Sequence, residues 1–280
     1  MKVAVVTDST SYIPKHIRET LDIHIIPLSV VIKGKTYKEE IDLTAEDFYK
    51  KVKNEDQLPT TTQPPIGEFE VLFAELAKDY DAIITIHLSS GISGTFQSAV
   101  AAGDMVENAK VYPYDSEISC MAQGFYAIKA ATLAKEGKKP EEIVVVLDEM
   151  KKNMRAYFMV DDLTHLERGG RLSSAQAIIG SLLHIKPLLH FENKVIVPFE
   201  KIRTRKKALK RMADLLEADV KKGKALQATI IHANRLEEAV EWKSELANQY
   251  PNVDFHISYF GPVIGTHLGE GSMGLCWTIK

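Results

Sequence analysis

Residues 82–106 constrain the fold more than any other stretch. Ala82 to Leu88 is a short apolar run rich in β-branched residues and reads as a buried strand. Phe96, Ala99, Val100, Gly103 and Val106 follow at helical spacing. Between them lies Ser89-Ser90-Gly91-Ile92-Ser93-Gly94-Thr95, a small-residue turn from a strand end into a helix start. The first amides of a helix have no intrahelical partner, and the helix dipole favours negative charge there. Glycines admit a ligand to the backbone and hydroxyls add donors, so the turn is built like an anion site. The same serines could serve only as helix caps.

The flanking segments repeat this grammar. Lys2–Val6 reads as a strand, Thr7–Ser11 as a polar turn, and Pro14 suits the first turn of a helix to about Leu21. Asp8 and Ser9 fall at the carboxyl end of that strand, where ligands of α/β sheets gather, although turn and cap chemistry also explains them. Ile23–Ile32 is a second strand region broken by Pro27. Thr44 reads as the cap of a helix over 46–53. The run Leu58-Pro-Thr-Thr-Thr-Gln-Pro-Pro65 reads as a stiff loop, placing Thr60, Thr61 and Thr62 before a helix marked by Phe69, Leu72, Phe73 and Leu76. Two hydroxyl-rich helix starts on neighbouring elements could grip one small anion. A strand over 110–114 and helices over 118–135 and 141–153 complete an alternation that argues for a parallel sheet with helices on both faces.

After residue 155 the pattern changes. A strand over 155–160 and a short helix over 163–167 precede Arg168-Gly169-Gly170-Arg171. An apolar helix is expected over Ala175–Leu183, and Glu192-Asn193 marks a hairpin between strands. A basic helix from Arg203 to about Val220, a strand over 228–232, a helix over 236–250 and a strand over 253–258 follow. The expectation is therefore an α/β protein of two domains. Residues 1–155 form a three-layer parallel-sheet domain carrying the threonine and serine loops. Residues 156–280 form an α+β domain carrying the basic helix and a glycine-rich loop, Gly261–His267.

Apparent enzyme motifs fail on inspection. Gly91-Ile-Ser-Gly-Thr95 departs from the GxSxG nucleophile elbow because Thr95 stands where glycine belongs. Gly269-Glu-Gly-Ser-Met-Gly274 satisfies GxGxxG literally, but only six residues follow and Leu275–Ile279 reads as a strand. That leaves no helix for a pyrophosphate and no distal acid for a ribose. No HExxH or P-loop lysine motif occurs. The chain of 280 residues is 45% hydrophobic and 26% charged, with net charge −3, so nothing in its global charge suggests a nucleic-acid partner. Cys120 and Cys276 form no CxxC, which fits a reducing compartment, and no run approaches the length of a membrane span. A cytoplasmic protein without metal or cofactor is expected. Arg203, Arg205, Lys206 and Lys207 form the densest basic patch, read either as a solvated helix face or as a contact for a partner or an anionic membrane surface.

Leu88–Ala99 (LSSGISGTFQSA), Thr7–Pro14 (TDSTSYIP) and Gly261–Gly274 (GPVIGTHLGEGSMG) together resemble the DegV family, and the resemblance runs from Val3 to Gly274. Members of that family bind a fatty acid, and some are the binding subunit of a bacterial fatty acid kinase. The resemblance implies that a threonine of the TTQP-like loop and Ser93 meet the fatty acid carboxylate, with the amides near Gly94. The match leaves Thr61 and Thr62 open, with Thr62 favoured. His267 of the GTH motif would stand near the carboxyl group, orienting a threonine hydroxyl or stabilising the carboxylate if protonated. Arg171 of the GGR motif would lie near the domain interface, where its guanidinium could hold a carboxylate or acyl phosphate unless it forms a surface ion pair. Ser9 is a further head-group candidate. A partner kinase would phosphorylate the bound carboxylate with ATP, and this chain would present the substrate without doing chemistry. The rival reading is an enzyme, a hydrolase or phosphotransferase acting through Ser93.

Overall fold

The structure, a computed structural model of the chain, describes residues 1–53, 57–172 and 186–280. Apolar β-branched runs form the first sheet. Strand β1 (Val3–Asp8) pairs in parallel with β2 (Ile23–Ile26) on one side and with β6 (Ala82–His87) on the other. Beyond β6 lies β7 (Lys110–Asp115), also parallel. Every residue of β6 is buried, as a central strand covered on both faces requires. Phe69 and Phe73 of α3 (Ile66–Leu76) and Ala99 and Ala102 of α4 (Thr95–Gly103) share one core with Ala4, Val6 and Ile83. On the opposite face, Phe125 and Tyr126 of α5 (Cys120–Lys135) and Ile143 and Leu147 of α6 (Pro140–Asn153) join Val5, Ile84 and Ile86. Burial of each such large side chain contributes about 1.5–3 kcal/mol.

The second sheet has the order β10-β9-β8-β13-β11-β12. Its strands are β8 (Arg155–Met159), the hairpin β9 (Leu188–Glu192) and β10 (Val195–Glu200), β11 (Leu226–His232), β12 (Val253–Tyr259) and β13 (Met273–Ile279). Only β11 and β12 are parallel, joined through α9 (Leu236–Gln249); the other pairings are antiparallel. Strand alternation divides two cores. Ile230 faces a core with Met212 and Leu216 of α8 (Arg205–Val220) and Trp242 of α9, whereas its neighbour Ile231 joins the core containing α5. Helix α5 packs on β1 and β6 of the first sheet and touches β11 and β13 of the second. Ten of its sixteen residues are buried, which explains why it shows no clean amphipathic stripe.

Three local expectations change. Pro27 divides the second strand region completely: β2 stays with the parallel sheet, while β3 (Ser29–Ile32) pairs with β4 (Lys35–Lys38) in a separate antiparallel sheet of order β4-β3-β5. The threonine run, read as an irregular loop, is the short strand β5 (Thr60–Thr62), paired with β3 through Thr60, Thr61 and Thr62. β-Branched residues favour this extended edge, and the following prolines end it. The glycine-rich Gly261–His267 segment is mostly helix, α10 (Pro262–Leu268), with proline at its start. The helix expected over Ala175–Leu183 lies outside the described residues. Among the described residues no helix is long and apolar enough to cross a membrane.

Candidate functional site

The carboxyl ends of β1 and β6 are tied together beneath the central turn. Asp8 accepts hydrogen bonds from the Leu88 amide at 3.0 Å, from the Thr10 hydroxyl at 2.6 Å and from the Gln123 side chain at 3.0 Å; His87 Nδ1 stands 3.0 Å from it. Asp8 and His87 are buried and fully occupied by this network, so Asp8 supports the turn and does not face a ligand. Ser9 departs from its head-group assignment in the same way. Its hydroxyl donates to Glu39 at 2.5 Å and accepts from the Leu28 amide at 3.1 Å. It is not among the residues that line the cavity described next.

The hydroxyl-rich turn and strand converge on one cavity of about 290 Å³. Thr61, Thr62, Ser93, Gly94, Arg171 and His267 all line it. Much of the remaining wall is hydrocarbon: Leu28, Ile118, Phe158, Phe191, Phe260 and Leu275 come from both large sheets and their connections. The cavity thus combines several polar groups with an extensive apolar wall. Ser93 Oγ lies 2.9 Å from Thr95 Oγ1 and accepts from the Thr95 amide at 3.3 Å. Helix α4 begins after Gly94 without a side-chain cap on that residue. Among the described residues the hydrogen bonds of Ser93 run to Thr95, and none joins it to an imidazole.

Helix α10 delivers His267. Its first turn is held by Glu39, a buried carboxyl that accepts from the Val263 amide at 2.8 Å and from the Tyr12 hydroxyl at 2.9 Å. A methyl on Gly261 would lie 2.4 Å from the Tyr12 ring, and one on Gly265 would lie 2.5 Å from the Tyr49 hydroxyl. Tyr49 in turn donates to the Phe260 carbonyl at 2.8 Å. The motif's glycines therefore permit close docking against α2 (Ala45–Val52) and the first loop. At the far end of the helix, His267 Nε2 stands 2.8 Å from Thr61 Oγ1. Among the described residues His267 Nδ1 is buried without a hydrogen-bond partner, and a methyl on Gly169 would lie 2.3 Å from it.

Burial, with Arg171 and His165 nearby, lowers the His267 pKa from its ordinary 6.5 to about 4. The ring is therefore neutral near pH 7, and of its two suggested roles the orientation of a hydroxyl is the one this environment favours. An Nε2–H donating to Thr61 would leave the threonine proton free for an acceptor in the cavity. Glu39 shows the opposite shift: burial raises it from 4.5 to about 7 against three donors that favour its charge.

Among the described residues Arg171 forms no ion pair. It is half-buried, and its guanidinium donates to the carbonyls of Ile92, at 3.2 Å, and Gly169. Among the described residues its partners are backbone carbonyls, and no carboxylate pairs with it beside the cavity. The basic patch, by contrast, loses a member. Arg205 binds Glu238 through Nε and Nη2, each at 2.7 Å, and also reaches Asp161 and the Gly271 carbonyl. It fastens α8 to α9, while Arg203, Lys206 and Lys207 remain exposed.

Two contributors escaped sequence reasoning. Gln63 follows the threonines and donates to Ser98 of α4 at 2.8 Å, joining the strand to the helix after Ser93. A methyl on Gly94 would lie 2.2 Å from its carbonyl oxygen. Lys194, at the hairpin tip, accepts from the Ser89 hydroxyl at 2.6 Å and pairs with Asp115 at 3.0 Å. The hairpin also brings Phe191 and Ile196 to the cavity wall. No sequence spacing announces contacts made across two sheets.

Comparison with known proteins agrees with this architecture. Protein DegV of Bacillus subtilis is 64% identical over 281 residues, covering 100% of both chains. Its crystal structure, that of a fatty acid binding protein, matches with a TM-score of 0.96. A fatty acid binding DegV family protein of Streptococcus agalactiae matches at 35% identity, over 100% of this chain and 99% of that one, with a TM-score of 0.92. A DegV family protein of Thermus thermophilus, also characterised for fatty acid binding, matches at 28% identity over 100% of both chains with a TM-score of 0.93. The family model for uncharacterised DegV proteins spans residues 2–280, and the chain belongs to the DegV family.

Proposed function

We propose that this protein binds a long-chain fatty acid in the cavity between its two sheets and presents the carboxylate to an ATP-dependent partner kinase. The observation that carries the reading is a cavity that combines hydroxyl donors with a hydrocarbon wall. Each buried methylene contributes about 0.8 kcal/mol, so the acyl chain supplies most of the affinity. Thr61, Ser93 and the amides near Gly94 hold the carboxylate, with Thr62 beside them and His267 behind Thr61. Arg171 supplies a positive charge close enough to the cavity to serve carboxylate or acyl phosphate. Hydroxyl and amide donors suit both species. We divide the chain into domains 1–155 and 156–280, which meet around the ligand.

The family relationship supports lipid binding, and the fatty acid binding of the three relatives supports this ligand class. The kinase role is what the family resemblance implies, and the exposure of Thr62 at the cavity supports it. Arg203, Lys206 and Lys207 form a contact for an acidic partner or an anionic membrane surface. The buried free thiols of Cys120 and Cys276 suit a cytoplasmic location. Denaturing extraction of the purified protein followed by mass spectrometry tests the core of the proposal. A stoichiometric fatty acid, diminished in Thr61→Ala and Ser93→Ala proteins, is expected. An empty extract with no uptake of added fatty acid would overturn it. Acyl phosphate formation upon adding a kinase and ATP tests presentation, and formation without a kinase would make the chain itself an enzyme.

A further inference from the structure

Gly274 occupies β13, a central strand hydrogen-bonded to β8 on one side and β11 on the other. Glycine in a strand interior costs about 0.5–1 kcal/mol relative to alanine. Its backbone is not in the left-handed region, so conformation does not demand it. What glycine leaves here is space. A methyl on Gly274 would stand 3.1 Å from Phe260 Cζ, 3.4 Å from Phe158 Cβ and 3.5 Å from the Tyr157 carbonyl oxygen. Gly274, Phe158 and Phe260 all line the cavity.

Those distances allow alanine once the tip of the Phe260 ring moves by a few tenths of an ångström. The Phe260 backbone is fixed, because its amide donates to the His232 carbonyl at 2.9 Å and its carbonyl accepts from Tyr49. The adjustment therefore falls on the ring. A methyl on Gly274 and the displaced ring would both compete with an acyl chain for room.

We propose that Gly274 is a specificity-determining residue of the hydrocarbon wall, setting by its missing side chain how long an acyl chain the cavity accepts. The inference rests on the fatty-acid reading of the same cavity. Phe158 and Phe260 then act as the fixed and the yielding side of the gap beside Gly274. The residue contacts the chain and not the carboxylate, so its substitution changes length preference and leaves head-group recognition intact.

The test is competition among tetradecanoic, hexadecanoic and octadecanoic acids for the purified wild-type, Gly274→Ala and Gly274→Ala/Phe260→Leu proteins, read by extraction and mass spectrometry. Gly274→Ala is expected to shift the ratio toward shorter acids by about fourfold for each methylene excluded. The double variant restores the longer acids, because leucine returns the space that the methyl takes. An unchanged ratio in Gly274→Ala, or equal loss of all three acids, would overturn the inference and leave Gly274 a packing residue only. Failure of the wild type to take up any of the acids is a different result: it removes the fatty-acid reading, and the length rule with it.

Discussion

His267 and Thr61 are separated by 206 positions in the chain, yet the ring Nε2 lies 2.8 Å from the threonine hydroxyl. One residue comes from the helix before the last strand and the other from a three-residue edge strand near the amino end. Their contact spans the cavity wall and lets a neutral ring orient a hydroxyl without adding charge of its own. That arrangement depends on Glu39 holding the other end of the helix through the Val263 amide.

The neutrality of His267 has a measurable consequence. Its folded pKa of about 4 lies below the ordinary 6.5, so the folded state binds fewer protons than the unfolded state between these values. The contribution is present above pH 6.5 and is lost as pH falls through about 4. Over that window the wild type is expected to lose on the order of 3 kcal/mol more stability than His267→Gln. Urea unfolding at intervals from pH 7 to pH 4 checks this; parallel curves for the two proteins would refute it.

Glu39 carries the opposite sign. Its folded pKa of about 7 exceeds the ordinary 4.5, so its contribution is fully present below 4.5 and lost as pH rises through about 7. The wild type is expected to lose on the order of 3 kcal/mol between these limits relative to Glu39→Gln, which cannot titrate. Chemical denaturation across pH 4 to pH 8 measures the difference. A wild-type curve no steeper than that of the variant would mean that Glu39 is already ionised throughout.

These two residues show what the sequence could reveal. The Ser93 turn was legible because a buried strand, small polar residues and a helix follow one another without interruption. His267 is legible only within a recognised motif, and its segment reads as a loop because proline and glycines conceal a helix that docks on tyrosines far earlier in the chain. Glu39 was invisible: beside Glu40 it looks like solvated charge, and it becomes buried only when α10 arrives more than two hundred positions later. The reverse error fell on Arg205, whose basic neighbours suggested an open patch although Glu238 holds it. Alternating strands and helices fixed the first sheet, whereas the antiparallel pairings of β8, β13 and β11 depend on contacts that local pattern does not encode.

Gly265 provides a packing test independent of ligand. A methyl there would come within 2.5 Å of the Tyr49 hydroxyl and 3.0 Å of the Phe48 ring. Both aromatic side chains are buried, so little room exists for relief. Gly265→Ala is expected to destabilise the protein by about 1–3 kcal/mol through overpacking. The denaturation midpoint in urea should fall accordingly; an unchanged midpoint would show that α10 can lift away without cost.

The choice between Thr61 and Thr62 can also be decided by substitution. The family match leaves Thr61 and Thr62 open, with Thr62 favoured, but the structure gives Thr61 the His267 partner and leaves Thr62 more exposed, although both line the cavity. An oriented hydroxyl loses less freedom when it meets a carboxylate, and a hydrogen bond to a charged group is worth about 1.5–3 kcal/mol. Thr61→Ala is therefore expected to weaken fatty acid binding by about tenfold or more, while Thr62→Ala has the smaller effect. His267→Ala should resemble Thr61→Ala, and the two losses should fall short of additive in the double variant because both remove one oriented hydroxyl. Titration of the four proteins with a fluorescent fatty acid gives the cycle directly. A larger loss for Thr62→Ala, or full additivity of Thr61→Ala and His267→Ala, would mean that the ring acts on the ligand by a route other than Thr61.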